Sequence, residues 1–319
     1  MPVWNFILSH LQGKIKLALL YVIASEGSSP GRKGFVMAVT ETGIFEGTIG
    51  GGIMEVKLIE LAKQHIKKGD QTTLIKKQYH DKSHPRNQSG LICSGEQTVA
   101  LIPLDEKDIP TITFIKERTE SLTLLIDAKN GLRIKPKEKE EKAIIKVASE
   151  FEYETVLPKP KTIHIFGAGH VGLALARQMS LLGYRIIQYD DRPELYALQK
   201  EQITWSLKII DYGNVQNEIE TDSIDAVAIV SSSYRSDKII LKQLYKKSLA
   251  YIGMMGSDQK IVTLKKELAT EGITEKELAH VFAPIGINMY SKTAEEIAVS
   301  IAGQVIFETN KGLPTGRGY

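Results

Sequence analysis

The sequence predicts an α/β protein: a C-terminal Rossmann-like parallel sheet domain preceded by a smaller mixed α/β N-terminal domain. Three observations carry this. Residues 161–191, KTIHIFGAGHVGLALARQMSLLGYRIIQYDD, run strand, glycine turn, helix, strand and terminal acid. Strand and helix patterns go on alternating to about residue 306, as they do in a parallel sheet. Before them, the charge run KPKEKEEK at 135–142 and the prolines Pro158 and Pro160 interrupt the chain, the mark of a solvated connector. The expected division is an N-terminal domain over 1–134, a linker over 135–160, the Rossmann domain over 161–309 and a flexible tail over 310–319.

Composition sets the outer limits. At 319 residues the chain is long for one core and sufficient for two. A hydrophobic content of 42% with 25% charged residues is that of an ordinary globular protein. A net charge of +3, evenly spread, argues against a nucleic-acid partner. One cysteine excludes an internal disulfide, so a cytoplasmic setting is expected. The apolar run 15–24 is broken by Lys16, is too short to span a bilayer and follows no signal-peptide n-region. It reads as a buried strand, with no membrane partner.

Residues 3–11 place Trp4, Ile7, Leu8 and Leu11 on one side of a short helix. The strand 15–25 leads into GSSPGRKG, where small residues let an anion approach the backbone and Arg32 and Lys33 supply charge. Alone, that loop reads better as a solvated turn. Residues 35–40 and 44–49 read as a hairpin about Gly43. Gly50, Gly51 and Gly52 then open the helix IMEVKLIELAKQHIKK. Three glycines at a helix N-terminus suggest a second anion cradle, and Glu55 either complements the helix dipole or binds a ligand donor. Residues 74–79 are a strand, and HDKSHPRNQSG reads as mobile. Residues 91–95 lead to the strand 97–101. A lone cysteine is usually a small buried hydrophobe, yet Cys93 heads a Ser-Gly turn where a thiolate would face a pocket. A helix over 107–118 and a strand over 122–126 follow, with a turn at Lys129, Asn130 and Gly131.

In the 161–191 unit each glycine has a mechanical role. Gly167 permits the tight turn, Gly169 lets backbone N–H groups approach a pyrophosphate, and Gly172 lets helix and strand pack closely. His170 lies in the phosphate loop itself. Leu173, Leu175, Ala176, Met179 and Leu182 keep an apolar helical face up to Gly183. The next strand ends on Asp190 and Asp191, and Asp190 stands 23 residues after Gly167, where an acid receives a ribose hydroxyl. A nucleotide ligand with a free ribose diol, such as NADH, would then be preferred to NADPH. A parallel α/β unit with an empty crevice is the competing reading. The strand 224–230 ends in a polar cluster at 231–237 that should face the crevice, and a helix over 237–247 follows. After the strand 250–254, Gly256 and Ser257 open the helix 258–270 as a further anion-facing cap. Thr293 and Glu296 form a capping box for the last helix.

With these segments in view the chain resembles the XdhC/CoxI family, accessory factors for maturing xanthine dehydrogenase and related molybdenum hydroxylases. The matching motifs, in the family's order, are GSSPGRKG (27–34), GTIGGGIMEVK (47–57), ICSGEQTVALIPL (92–104), IHIFGAGHVG (163–172), DDRPELY (190–196), YIGMMGS (251–257), and APIG with TAEEIAVSI (283–301). The resemblance implies a chaperone that captures molybdenum cofactor (molybdopterin) and protects it. After a cysteine desulfurase replaces an oxo ligand with sulfur, it would hand the cofactor to an apo molybdenum hydroxylase. It also implies that Cys93 contacts the molybdenum centre. Two positions depart from the family: Ser94 stands where a glycine is usual, and Ser232 aligns with a common histidine. The rival reading is an NAD(P)-dependent oxidoreductase, argued from residues 163–191 alone; a scaffold with a vestigial crevice is a third. A homodimer with a cofactor cleft between domains is expected.

Overall fold

A computed structural model describes residues 2–27, 29–79, 95–135, 151–194 and 203–311. The polar stretch 80–90, Cys93 with its neighbour Ser94, most of the charge run, and the end of the tail lie outside the described residues. The chain divides after Pro160 into two compact units.

The first unit opens with helix α1 (Pro2–Gln12) and builds a five-stranded antiparallel sheet ordered β3-β2-β1-β5-β4. Its strands are β1 (Leu17–Gly27), β2 (Val36–Thr40), β3 (Phe45–Gly47), β4 (Leu74–Tyr79) and β5 (Gly95–Leu104). Helix α2 (Gly52–Lys67) connects β3 to β4. Strand β1 is buried on both faces, which explains its unbroken apolar run. Leu17, Leu19, Tyr21 and Ile23 pack with α1 and helix α3 (Ile109–Glu117), whereas Ala18, Leu20 and Val22 pack with Leu58, Ala62 and Ile66 of α2.

A smaller antiparallel sheet ordered β7-β6-β8 completes this unit, from β6 (Leu122–Asp127), β7 (Gly131–Lys135) and β8 (Glu152–Leu157). It corrects the predicted 135–160 linker, since residues 151–160 belong to the first unit. Tyr153 and Thr155 point inward from β8, and Phe151 joins the core. The lysines and glutamates before this strand and the prolines after it masked an inward alternation only two residues deep.

The second unit is a six-stranded parallel sheet, ordered β11-β10-β9-β12-β13-β14. The strands are β9 (Thr162–Phe166), β10 (Arg185–Asp190), β11 (Ser206–Ile209), β12 (Ala226–Ile229), β13 (Tyr251–Met254) and β14 (Val281–Phe282). Counted within the unit, the order is 3-2-1-4-5-6, that of a doubly wound dinucleotide fold. Helices α4 (His170–Leu181) and α8 (Ala294–Thr309) cover one face through Leu175, Met179, Ile301 and Val305. The one-turn α5 (Val215–Glu218), α6 (Tyr234–Leu244) and α7 (Asp258–Thr270) cover the other through Val215, Ile240, Leu241 and Leu264. Helix α6 begins three residues before the predicted start because Ser233 takes the extended N-cap conformation. Helix α8 opens on the predicted capping box. Asn310, assigned from sequence to the tail, is the C-cap of α8 and accepts a hydrogen bond from Lys161 Nζ at 2.6 Å. No helix among the described residues is long and apolar enough to cross a membrane.

Candidate functional site

In a doubly wound sheet the ligand crevice lies outside the carboxyl ends of the strands, where the strand order reverses. Here the reversal falls between β9 and β12, and the loop after β9 carries the glycine fingerprint. Gly167 has φ +115, and a Cβ there would stand 2.5 Å from the Val230 carbonyl oxygen at the end of β12. A Cβ on Gly172 would collide with the Gly167 carbonyl oxygen. These two glycines are demanded by the fold itself. Gly169 differs: its φ of −75 suits any residue, and no heavy atom lies within 4 Å of where a Cβ would be. It is the N-cap of α4, no side chain caps that helix end, and His170, the first helical residue, is exposed. First-turn N–H groups without an intrahelical partner are phosphate donors by geometry and by dipole.

Strand β10 holds the loop from beneath. Gly167 N–H donates to the Tyr189 carbonyl (2.8 Å), and Gln188 Nε2 donates to the Gly167 carbonyl (3.0 Å). The other amide atom of Gln188 accepts from Trp205 Nε1 at 2.8 Å. Asp190, two residues on and so on the same strand face, accepts from Ala168 N–H at 2.7 Å. The carboxylate expected to receive a ribose is therefore already engaged. Arg192 grips it through its backbone N–H, Nε and Nη2 at 3.0, 2.8 and 2.9 Å. Burial alone would raise the Asp190 pKa, but the bonds from Arg192 and Ala168 outweigh it and hold the carboxyl below its ordinary range. Asp191 is exposed beside it. Gln188 and Arg192 were missed in the sequence, although the period-2 spacing of 188 and 190 and the adjacent DDR run are visible there.

The polar cluster after β12 does meet the loop, since Ser231 Cα lies 2.9 Å from the Cβ position of Gly167. Asp237 is buried and accepts from Ser231 Oγ (2.6 Å) and Ser231 N–H (3.2 Å). Burial pushes its pKa up to about 6, against the pull of those bonds. Ser232, at the position aligned with a histidine, is exposed. His164 lies elsewhere: its Nδ1 meets Tyr189 Oη at 3.0 Å and its Nε2 stands 3.6 Å from Asp225, which precedes β12 and so marks the amino end of the strands.

The other sequence candidates fare differently. Gly50, Gly51 and Gly52 all have positive φ, but their turn is closed from within. Glu55 Oε2 accepts from Ile49 N–H, Gly51 N–H and Thr48 Oγ1 at 3.0, 2.9 and 2.7 Å, and Gly50 N–H goes to Thr48 Oγ1. Glu55 is thus engaged within the turn, and those N–H groups already have an acceptor. A Cβ on Gly50 would stand 2.5 Å from Gly31 N, so this turn is seated directly against the GSSPGRKG loop. The buried pair Gln78 and Gln97 fixes that contact, with Gln97 Nε2 donating to the Ile49 carbonyl (3.1 Å) and Ser29 Oγ donating to Gln97 Oε1 (3.1 Å). Ser257 accepts from Lys260 N–H at 3.4 Å, which caps its own helix, and Gly256 packs against Ile261. Among the described residues no three His, Cys, Asp or Glu side chains converge as a metal site; Cys93 lies outside them.

Comparison with known proteins bears on the same segments. Residues 163–305 match the family model described as the XdhC Rossmann domain, and residues 10–76 match that of the XdhC and CoxI family. The chain is 23% identical over 307 residues to the uncharacterized protein YqeB of Escherichia coli K12, covering 94% of this chain and 44% of that protein. It is 27% identical over 158 residues to a probable xanthine dehydrogenase subunit of Bacillus subtilis 168, covering 48% of this chain and 44% of that protein. The matches thus span less than half the length of these curated relatives. A solved structure from Bacillus halodurans, described as a xanthine dehydrogenase, shares the fold with a TM-score of 0.70 at 21% identity, over 97% of this chain and 96% of that one.

Proposed function

Because the chain belongs to the XdhC/CoxI family, we propose that it is an accessory factor that takes up molybdenum cofactor and delivers it, after sulfuration, to a xanthine dehydrogenase-like hydroxylase. The observation that carries this reading is the open middle of the glycine loop. The cofactor is cargo, and its pterin ends in a phosphate or a nucleotide extension. An uncapped helix N-terminus with empty space at Gly169 suits that end. Gly167, Gly172, Gln188 and Asp190 would hold the loop in shape, while the His170 and Val171 N–H groups would meet the phosphate. Cys93 is the proposed soft contact for the metal, since a thiolate suits a metal–sulfur centre. The partners on this reading are the apo-hydroxylase and a cysteine desulfurase, and the working form is a homodimer.

A second reading, an NAD(P)-dependent oxidoreductase, is favoured by the 3-2-1-4-5-6 strand order. Against it, His164 is engaged away from the crevice and His170 lies in the phosphate loop itself. Mass spectrometry of small molecules retained by protein from a molybdate-replete, cofactor-producing host separates the two. A pterin phosphate or pterin dinucleotide is the expected species. Retention of NAD(P) alone would overturn the cofactor reading in favour of the second.

A further inference from the structure

Asp190 ends β10, the position from which an acid reaches a ribose diol in dinucleotide folds. A carboxylate has about four acceptor directions, and here all four are taken. Oδ1 accepts from Arg192 N–H (3.0 Å) and Nε (2.8 Å), and Oδ2 accepts from Ala168 N–H (2.7 Å) and Arg192 Nη2 (2.9 Å). The two backbone donors are fixed by the turn. The other two belong to one side chain that is 35% exposed, while the carboxylate is almost fully buried. Only the guanidinium can leave.

We propose that Arg192 is a latch on the ribose subsite: it occupies the Asp190 carboxylate in the ligand-free protein, and a ribose-bearing ligand binds by displacing it. The inference rests on the reading that the Gly169 loop takes a phosphate ligand carrying a nucleotide. Arg192 does not serve as a receptor for a 2′-phosphate. With the pair closed, Asp190, Asp191 and Arg192 sum to one negative charge, which repels a phosphomonoester; with the pair open, two carboxylates face it. The closed latch instead lowers the apparent affinity for a diol, because only the opened fraction is competent.

The test is a fluorescence titration of the full chain with NADH and NADPH, comparing wild type, Arg192→Lys and Arg192→Met. In Arg192→Met the carboxylate keeps both backbone donors but loses the two side-chain bonds. NADH binding should tighten about tenfold, the order expected for freeing a charge-assisted pair. Arg192→Lys offers a point charge without the fork and should fall between; it carries the test alone should the methionine variant fail to fold. Equal NADH affinity across the series, or weaker NADH binding in Arg192→Met, overturns the latch. NADPH preferred over NADH in wild type, with that preference lost in Arg192→Met, also overturns it and makes Arg192 a phosphate receptor. If no variant binds NADH, the latch falls, and mass spectrometry of retained small molecules decides separately whether the phosphate-loop reading stands.

Discussion

Two glycine-rich turns open helices in this chain, and they are built in opposite ways. At residues 50–52 all three glycines have positive φ, Gly50 abuts Gly31, and the N–H groups of Ile49, Gly50 and Gly51 are taken by Glu55 and Thr48. At residues 167–172 the outer glycines are pinned by Val230 and by the loop itself, while Gly169 faces open space at an uncapped helix end. The first turn is filled by its own side chains and the second is left open. Counting glycines does not separate them; following each backbone N–H to its acceptor does.

The largest effects are expected where a side chain has no room. Gly31→Ala would meet the Ile49 carbonyl and Gln97, and Gly172→Ala would meet the Gly167 carbonyl. Each should destabilise its own unit by about 3 kcal/mol, read as an early transition in urea unfolding. A loss under about 1 kcal/mol at either position would mean that the loop backbone yields, and the contrast with Gly169 would weaken.

A pH-dependent effect of similar size is expected at Asp237, beside the second region. Its folded pKa is raised from the ordinary 3.8 to about 6. Its stabilising contribution is therefore complete below 3.8, where the group is protonated in both states, and is lost as pH rises through about 6. The difference is about 3 kcal/mol. Asp237→Asn should flatten the stability profile of the second unit across that window. A profile identical to wild type would show that the carboxyl is not buried as described. Smaller than these, Glu55→Ala should cost about 1–2 kcal/mol by freeing the Ile49 and Gly51 N–H groups. If the variant also gains affinity for inorganic phosphate, the first turn is a masked cradle and the two regions differ only in that filling.

Long elements and the strand–glycine–helix junction were legible in the sequence, because β1 and β9 are largely apolar runs and α4 repeats its buried positions at helical spacing. Strand β8 was not, since its inward positions are only Tyr153 and Thr155 among charged neighbours. Edge strand β11 escaped for a similar reason, burying Leu207 alone. The steric roles of Gly167 and Gly172 were readable because each follows from a motif's own geometry. The partners of Asp190 and Glu55 were not. Both acids stand where a ligand would want them, and only the folded backbone reveals that nearer donors reach them first.

The proposed phosphate site at the open glycine loop is tested most directly by Gly169→Leu, compared with wild type for retained phosphate-bearing small molecules by mass spectrometry and for thermal midpoint. Gly169 has an ordinary φ and free space around it, so the leucine should leave the midpoint unchanged while blocking the approach to the helix N-terminus. The expected result is an unchanged midpoint with retention reduced at least about tenfold, the scale of losing one or more charge-assisted hydrogen bonds. Undiminished retention at an unchanged midpoint would contradict the assignment and move the ligand out of this loop.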